Sequence, residues 1–441
     1  MANRAIDLAM RRRVVWSSTI GNALEWFDFI VFGLFAGVIG ELFFPPGDPT
    51  AQLVRAYGLF AVAYLFRPVG GLVFGVWSDR IGRKRALVSI VLMMAIGSCL
   101  IGIMPTYQAI GAAAPIGLIV ARLIQGFSAG GEYSTSTAML AEFAPRGRRG
   151  FYAAFQHVAQ FSAFVIGAAF FYGLKTFLPP DAFAGWGWRV PFLAGIVIGP
   201  VGVYLRSAID ETPEFRAFLE RRANRPNTPL RDVLRQHPRS LFALLLYVAG
   251  GTAFTYIMNI FLPTYAEHNL SLSAVDATLG LLVVNVVAAI AIPFAGALSD
   301  AYGRRPVMVP ALILFIIVSL FLAAQVIREP SNVALWALQA TSLIMIFVTG
   351  PGNALTMETF PVQMRSTGAA IVYNVAVAIF GGLSPWFVTR LTEATSDKFM
   401  PFYYMDGCLI LSLIGLAILP GPGEEEAQAP TAVPRRDGAG A

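Results

Sequence analysis

Charge is what this chain has least of. Only 13% of its residues are Asp, Glu, Lys or Arg, against roughly 25% in a soluble domain. Hydrophobic residues make up 56% and the mean hydropathy is +0.64. Such a chain cannot hide its apolar surface from water, which excludes a soluble globular protein and leaves a polytopic membrane protein. Cysteine is nearly missing too. Cys99 and Cys408 both sit inside apolar runs, which excludes a disulfide framework and gives no metal-ligand spacing. There is no glycine-rich phosphate loop, no metal motif and no Ser/His/Asp set outside the apolar runs. The chain is therefore not expected to be an enzyme, to hold a cofactor or metal, or to draw on ATP. A net charge of +6 invites a nucleic-acid reading, but the positions of the charges explain it better.

What is there is a series of apolar segments long enough to cross roughly 30 Å of hydrocarbon. Six fall near residues 15–40, 52–78, 86–105, 109–141, 150–175 and 188–206. Six more fall near 240–265, 272–298, 306–327, 332–357, 366–390 and 400–420. The stretch 207–239, rich in Arg, Glu and Pro, reads as a solvated linker with short amphipathic helices. The segment from 421 to 441 is of low complexity and reads as a disordered tail. The expected units are a first half over 1–206, the linker, a second half over 240–420 and the tail.

The halves are related. Gly75, Ser78, Asp79, Gly82 and Arg83 return as Gly296, Ser299, Asp300, Gly303 and Arg304, at a constant offset of 221. Glu142, Pro145 and Arg149 return as Glu358, Pro361 and Arg365, at an offset of 216. Two unrelated patterns returning at nearly one offset imply two structurally equivalent halves. The fold class is thus an all-α membrane protein of twelve transmembrane helices in two pseudo-symmetric six-helix halves. With the N-terminus inside, cytoplasmic segments hold 24 of the 32 Lys and Arg and outer segments hold five. That asymmetry places both termini in the cytoplasm.

GVWSDRIGRKR (Gly75–Arg85), echoed by GALSDAYGRR (Gly296–Arg305), resembles the signature loop of the major facilitator superfamily. GNALEWFDF (Gly21–Phe29), FRPVGG (Phe66–Gly71), RLIQGFSAGGEY (Arg122–Tyr133) and WGWRVPF (Trp186–Phe192) resemble its metabolite:proton symporters. The likeness is most specific from Gly21 to Thr212. It implies the major facilitator fold in a bacterial-type inner membrane and transport of citrate, dicarboxylates, shikimate or osmolytes such as proline and betaine. An arginine matching Arg67 occurs broadly in that group, osmolyte importers included, whereas its carboxylate importers also carry the one matching Arg122. Its osmolyte importers bear a long heptad-patterned C-terminal extension that this tail lacks.

Chemistry is expected where charge is expensive. An ionised side chain at the bilayer centre costs roughly 2.5 kcal/mol or more unless paired or hydrated. The first half buries Glu25, Asp28, Arg67, Arg122 and Glu132, with Arg189 at its rim; the second half has only Asp406 as a clear case. Glu25 and Asp28 are three apart and share one helix face. Paired carboxylates in a low dielectric resist double ionisation, the property a proton-coupling site needs. Alternatively one of them pairs with Arg67 or Arg122 and only the other titrates. Glu132 either joins the coupling set or packs against the loop arginines. The bland alternative for the whole set is structural pairs that hold helices together.

Arg67 and Arg122 can each grip a carboxylate through two parallel hydrogen bonds, which implies an anionic substrate. Neutral contacts are expected from Tyr256, Asn259, Asn285, Asn353, Tyr373 and Asn374, each of which can instead be a helix–helix hydrogen bond. Gln156, His157 and Gln160 form a polar stripe at helical spacing. At the loops, Asp79, Arg80, Arg83, Glu142 and Arg149, with Asp300, Arg304, Glu358 and Arg365, are expected to cap helices and pair. Those contacts would hold one side shut and break as the halves rock. Three functions follow: a proton-coupled importer of a small organic carboxylate, an osmolyte symporter, or a non-transporting membrane sensor. The expected partners are a small organic anion and the lipid bilayer, with protons as coupling ion, no nucleic acid, and a monomeric chain.

Overall fold

The computed structural model describes residues 8–81, 83–130, 136–137, 140–141, 144–145, 147–196, 199–201, 204, 229–360 and 365–420. Among these residues there is helix almost throughout and no strand. In hydrocarbon a backbone must satisfy its own N–H and C=O groups, and a helix does so within one segment. The helices of the first half are α1 (Leu8–Leu34), α2 (Pro49–Ile81), α3 (Arg83–Ile103), α4 (Ala113–Ala129) and α5 (Arg149–Phe177). The sixth, α6, opens at Val190–Leu193. The second half holds α7 (Pro238–Leu270), α8 (Ala274–Tyr302), α9 (Arg304–Arg328), α10 (Asn332–Thr359), α11 (Thr367–Thr395) and α12 (Met400–Ile418). By length and composition, α5 and α7–α12 can each cross a membrane. The short helix Pro229–Gln236 is the described part of the polar stretch between the halves. The remaining linker positions up to 228, and the tail from 421, lie outside the described residues.

Local chemistry sets several helix starts. Asp48 accepts from the N–H groups of Thr50 (3.3 Å) and Ala51 (3.0 Å) beside the first turn of α2. Ser273 accepts from Asp276 N–H (3.2 Å) and Ser331 from Ala334 N–H (3.3 Å), capping α8 and α10. Gly303 opens α9 at φ +92°, a conformation that a side chain would strain. This is the turn glycine of the repeated loop.

The first span departs from its expected course. Its described part, Leu8–Leu34, stops and resumes as Ala36–Phe43 after a 61° bend. Two further irregularities are π turns, at Ile257–Phe261 in α7 and Val377–Gly382 in α11. Each inserts an extra residue per turn and re-aims the helix beyond it. Neither leaves a mark in hydropathy.

Within the first half α1 packs on α5 and α2 on α4, and in the second α7 packs on α12. The halves meet chiefly where α5 lies on α8 and α2 on α11. The first contact depends on Gly150 and Gly296, whose backbones touch: a Cβ on either would collide with the other's carbonyl. Aromatic side chains fill the first half, with Phe29, Phe32, Phe35 and Phe60 fully buried. Outward-facing apolar residues such as Ile290, Phe294, Ile317 and Phe321 are more than half exposed, as a lipid-facing surface requires.

Candidate functional site: a polar cavity between the halves

A cavity of about 60 Å³ lies between the two halves. From the first half it is lined by Trp26 of α1 and by Gln156, His157 and Gln160 of α5. The second half adds Tyr247, Thr252, Thr255 and Tyr256 of α7, Thr349, Asn353 and Thr356 of α10, and Tyr373 of α11. The wall thus carries neutral polar groups on a mostly apolar surface with a strong aromatic share. Water-sized molecules fit it.

Contacts between the halves close the bundle on either side of this cavity. At the end carrying the repeated loops, the Asp300 carboxylate accepts from Gly150 N–H (2.8 Å) and Phe151 N–H (3.0 Å) at the start of α5. The same carboxylate pairs with Arg304 at 2.8 Å, and Arg304 pairs with Glu358 at 2.9 Å. Nearer the centre, Asn374 donates to the Gly130 carbonyl (3.1 Å) and Asn353 to the Ala153 carbonyl (3.3 Å). At the opposite end Lys175 and Glu267 form an ion pair at 2.8 Å.

Behind the first-half wall lies a buried charge network. Arg67, 1% exposed, pairs with Glu25 at 3.2 Å and donates to the Ala129 carbonyl at 3.2 Å. Its guanidinium also lies 5.3 Å from the Phe29 ring and 5.6 Å from the Tyr64 ring. Arg122, fully buried, donates to Gln125 Oε1 at 2.8 Å and stands 4.2 Å over Phe32. Gln125 in turn donates to Ser98 Oγ at 2.8 Å, and the Asp28 carboxylate lies beside Ser98. Each acid is therefore linked to its own arginine, Glu25 directly and Asp28 through Ser98 and Gln125. Aromatic faces stabilise both guanidinium groups where water cannot.

Of the expected substrate contacts, the structure brings Gln156, His157, Gln160, Tyr256, Asn353 and Tyr373 to one cavity. It does not bring Arg67 or Arg122 to the wall; both are spent on the network behind it. Asn259 and Asn285 bond each other at 3.0 Å and so tie α7 to α8. Asn374 is spent on the link to Gly130. Arg189 donates to the Gly102 and Met104 carbonyls, both at 2.8 Å, and so clamps the end of α3. Asp406 is buried against Ser319 (3.4 Å), away from the cavity.

Asp300, Arg304 and Glu358 of the loop set meet in one cluster, and Arg149 is exposed at the start of α5. Glu132 and Glu142 lie outside the described residues, as do the side chains of Asp79, Arg80, Arg83 and Arg365. The residues missed from sequence are Trp26, Tyr247 and the threonines 252, 255, 349 and 356. The threonines carried a signal: they recur at three- and seven-residue spacing inside apolar runs. Trp26 lies inside the GNALEWFDF stretch, whereas Tyr247 carried no signal, since an aromatic in a membrane span is ordinary.

The model of the Major Facilitator Superfamily matches residues 20–385. This chain belongs to that family. A proline/betaine transporter of Salmonella typhimurium is 33% identical over 422 residues, 93% of this chain and 83% of that protein. A citrate-proton symporter of Klebsiella pneumoniae is 36% identical over 409 residues, covering 91% of this chain and 90% of that one. Among solved structures, a xylose transporter of E. coli in a partially occluded inward-open conformation superposes with a TM-score of 0.74. That match has 17% identity and covers 93% of this chain and 98% of the other. It speaks to the fold alone. The chain is thus a multi-pass membrane transporter and not an enzyme.

Proposed function

We propose that this chain is a proton-coupled symporter of a small organic carboxylate that works by alternating access. The observation that carries the reading is the Glu25–Arg67 pair, buried one side chain behind a cavity that both halves build. A proton on Glu25 neutralises the partner of Arg67. The cation then needs another anion, and a substrate carboxylate in the cavity is the one at hand. Proton and substrate thus bind together and leave together. Removing one member of a buried pair leaves a charge that costs roughly 3–5 kcal/mol, enough to make single occupancy rare. Asp28, tied through Ser98 and Gln125 to Arg122, offers a second proton position.

The Asp300 cluster serves as the gate at the loop end and must open as the halves rock. The surplus of basic residues supports a cytoplasmic location for that end and for both termini. The units are the two halves, the linker and the tail. The protein works as a monomer with the proton as its coupling ion and no cofactor.

A second reading, an osmolyte such as betaine or proline, is favoured by the four aromatics on the wall: Trp26, Tyr247, Tyr256 and Tyr373. Such faces suit a quaternary ammonium. Both curated relatives named above fit a carboxylate-bearing solute. The test is uptake by proteoliposomes of citrate, a dicarboxylate, proline and betaine, with and without an imposed pH gradient. Gradient-driven accumulation of citrate or the dicarboxylate supports the first reading, and of betaine or proline alone the second. Accumulation of none, or accumulation indifferent to the gradient, refutes proton-coupled carboxylate symport.

A further inference from the structure

His157 meets Asn353 across the interface, α5 to α10, with Asn353 Nδ2 2.9 Å from His157 Nδ1. Which atom donates is decided by a third group. The same Nδ2 stands 3.3 Å from the Ala153 carbonyl, which can only accept. The amide is therefore oriented with its NH2 toward both partners, one hydrogen for each. His157 Nδ1 must then be the acceptor, and the ring proton sits on Nε2. The ring lines the cavity, and among the described residues its one hydrogen bond is at Nδ1, leaving Nε2 without a partner. One residue earlier on α5, Gln156 is 2% exposed and also lines the cavity. Its Oε1 accepts from Ser136 at 3.2 Å, while its Nε2 is buried with no partner among the described residues. Two residues of the first-half wall thus each carry a neutral N–H donor without an acceptor among the described residues.

A buried donor left unpaired, as Gln156 Nε2 is among the described residues, is costly and persists where a ligand completes it. We propose that the Nε2–H groups of His157 and Gln156 together receive the substrate carboxylate, and that Asn353 of the other half sets the His157 tautomer that makes this possible. This rests on the reading of the substrate as carboxylate-bearing, and holds whether that solute is an acid such as citrate or a zwitterion such as betaine. Arg67 then contributes positive potential from behind the wall, and the direct contacts are neutral. Asn353 acts as a positioning residue. Because it comes from the second half, the donor is presented only when α5 and α10 are together. Binding is thereby tied to closure: an open half offers an imidazole free to adopt either tautomer.

The experiment has two arms. The full-length protein, labelled with 15N-histidine and reconstituted in nanodiscs, is examined by NMR, with His157 assigned by loss of its signals in His157→Gln. The expected spectrum shows an unprotonated Nδ1 and a protonated Nε2. In Asn353→Asp, whose carboxylate can only accept, the proton should move to Nδ1. A protonated Nδ1 in the wild type, or a spectrum indifferent to Asn353→Asp, overturns the role of Asn353.

In the second arm, competition binding compares citrate and glycine betaine with their methyl esters. In the wild type the free acid should be preferred for whichever probe binds. His157→Phe and Gln156→Leu should each cut that preference by about tenfold or more, as expected for a bond to a charged acceptor. Their affinity for the ester should change little. An unchanged acid-to-ester ratio in both variants overturns the assignment. If the wild type binds neither acid, the underlying carboxylate reading falls, while the nitrogen spectra still decide the tautomer on their own.

Discussion

Replacing Asp300 by Ala should open the loop end of the transporter. The carboxylate makes two charge-assisted hydrogen bonds to the N–H groups of Gly150 and Phe151, at 2.8 and 3.0 Å, and these cross between the halves. Its third contact, Arg304 at 2.8 Å, lies within its own half at the start of α9, and Arg304 keeps Glu358 in the variant. The loss is therefore mainly the interdomain pair. Hydrogen bonds to charged groups contribute roughly 1.5–3 kcal/mol each. Water reaching the freed N–H groups returns part of that, so about 3 kcal/mol is a fair net figure. At about 1.4 kcal/mol per tenfold, the closed-to-open ratio should fall by roughly 100-fold.

The assay is pulsed dipolar spectroscopy between spin labels at the exposed positions Arg148 and Tyr302, in a background lacking Cys99 and Cys408. A long-distance population should become dominant in Asp300→Ala. Lys175→Ala at the opposite end is the control, because that pair is 28% and 42% exposed. It should shift its own end by no more than about 1 kcal/mol. Distances across the loop end that do not change in Asp300→Ala would refute the gate, as would an equal effect from Lys175→Ala.

Gly296→Ala should act in the same direction by sterics alone, since its Cβ would meet the Gly150 backbone; the same distance measurement checks it, and an unaltered distribution counts against the close-approach argument. Glu25→Gln and Asp28→Asn should abolish gradient-driven uptake while sparing substrate counterflow, and normal accumulation in both variants and their double would exclude these acids from coupling. Arg122→Gln should weaken citrate binding by tenfold or more, on the order of 1.4 kcal/mol, and betaine binding far less; equal losses for both would make Arg122 a structural residue. Glu25→Ala leaves Arg67 buried without its 3.2 Å partner, so thermal unfolding in detergent should show a loss of roughly 3–5 kcal/mol; a wild-type unfolding temperature would mean that the pair is hydrated.

The sequence by itself determined the class and the symmetry. Hydropathy reports burial in lipid, which acts on every residue of a span, so twelve segments and their charge asymmetry stand out. The returning loop motifs exposed the two halves, because a turn that needs Gly303 and a cap that needs Asp300 constrain residue type at a point. It also marked which charges were buried, since an ionised residue in an apolar run is conspicuous anywhere.

What it could not decide was direction. Arg67 and Arg122 look alike in sequence to cavity cations, yet tertiary packing turns them into the first-half core against Glu25, Gln125 and aromatic rings. Asn259 and Asn353 were equivalent as polar residues in spans. Only the π turn in α7, and the approach of α10 to α5, make one a helix tie and the other a partner of His157. A sequence records what a side chain can bond. Which partner it meets depends on the rotation of each helix and on contacts between residues some 200 positions apart, and those are set by the packing of the two halves as a whole.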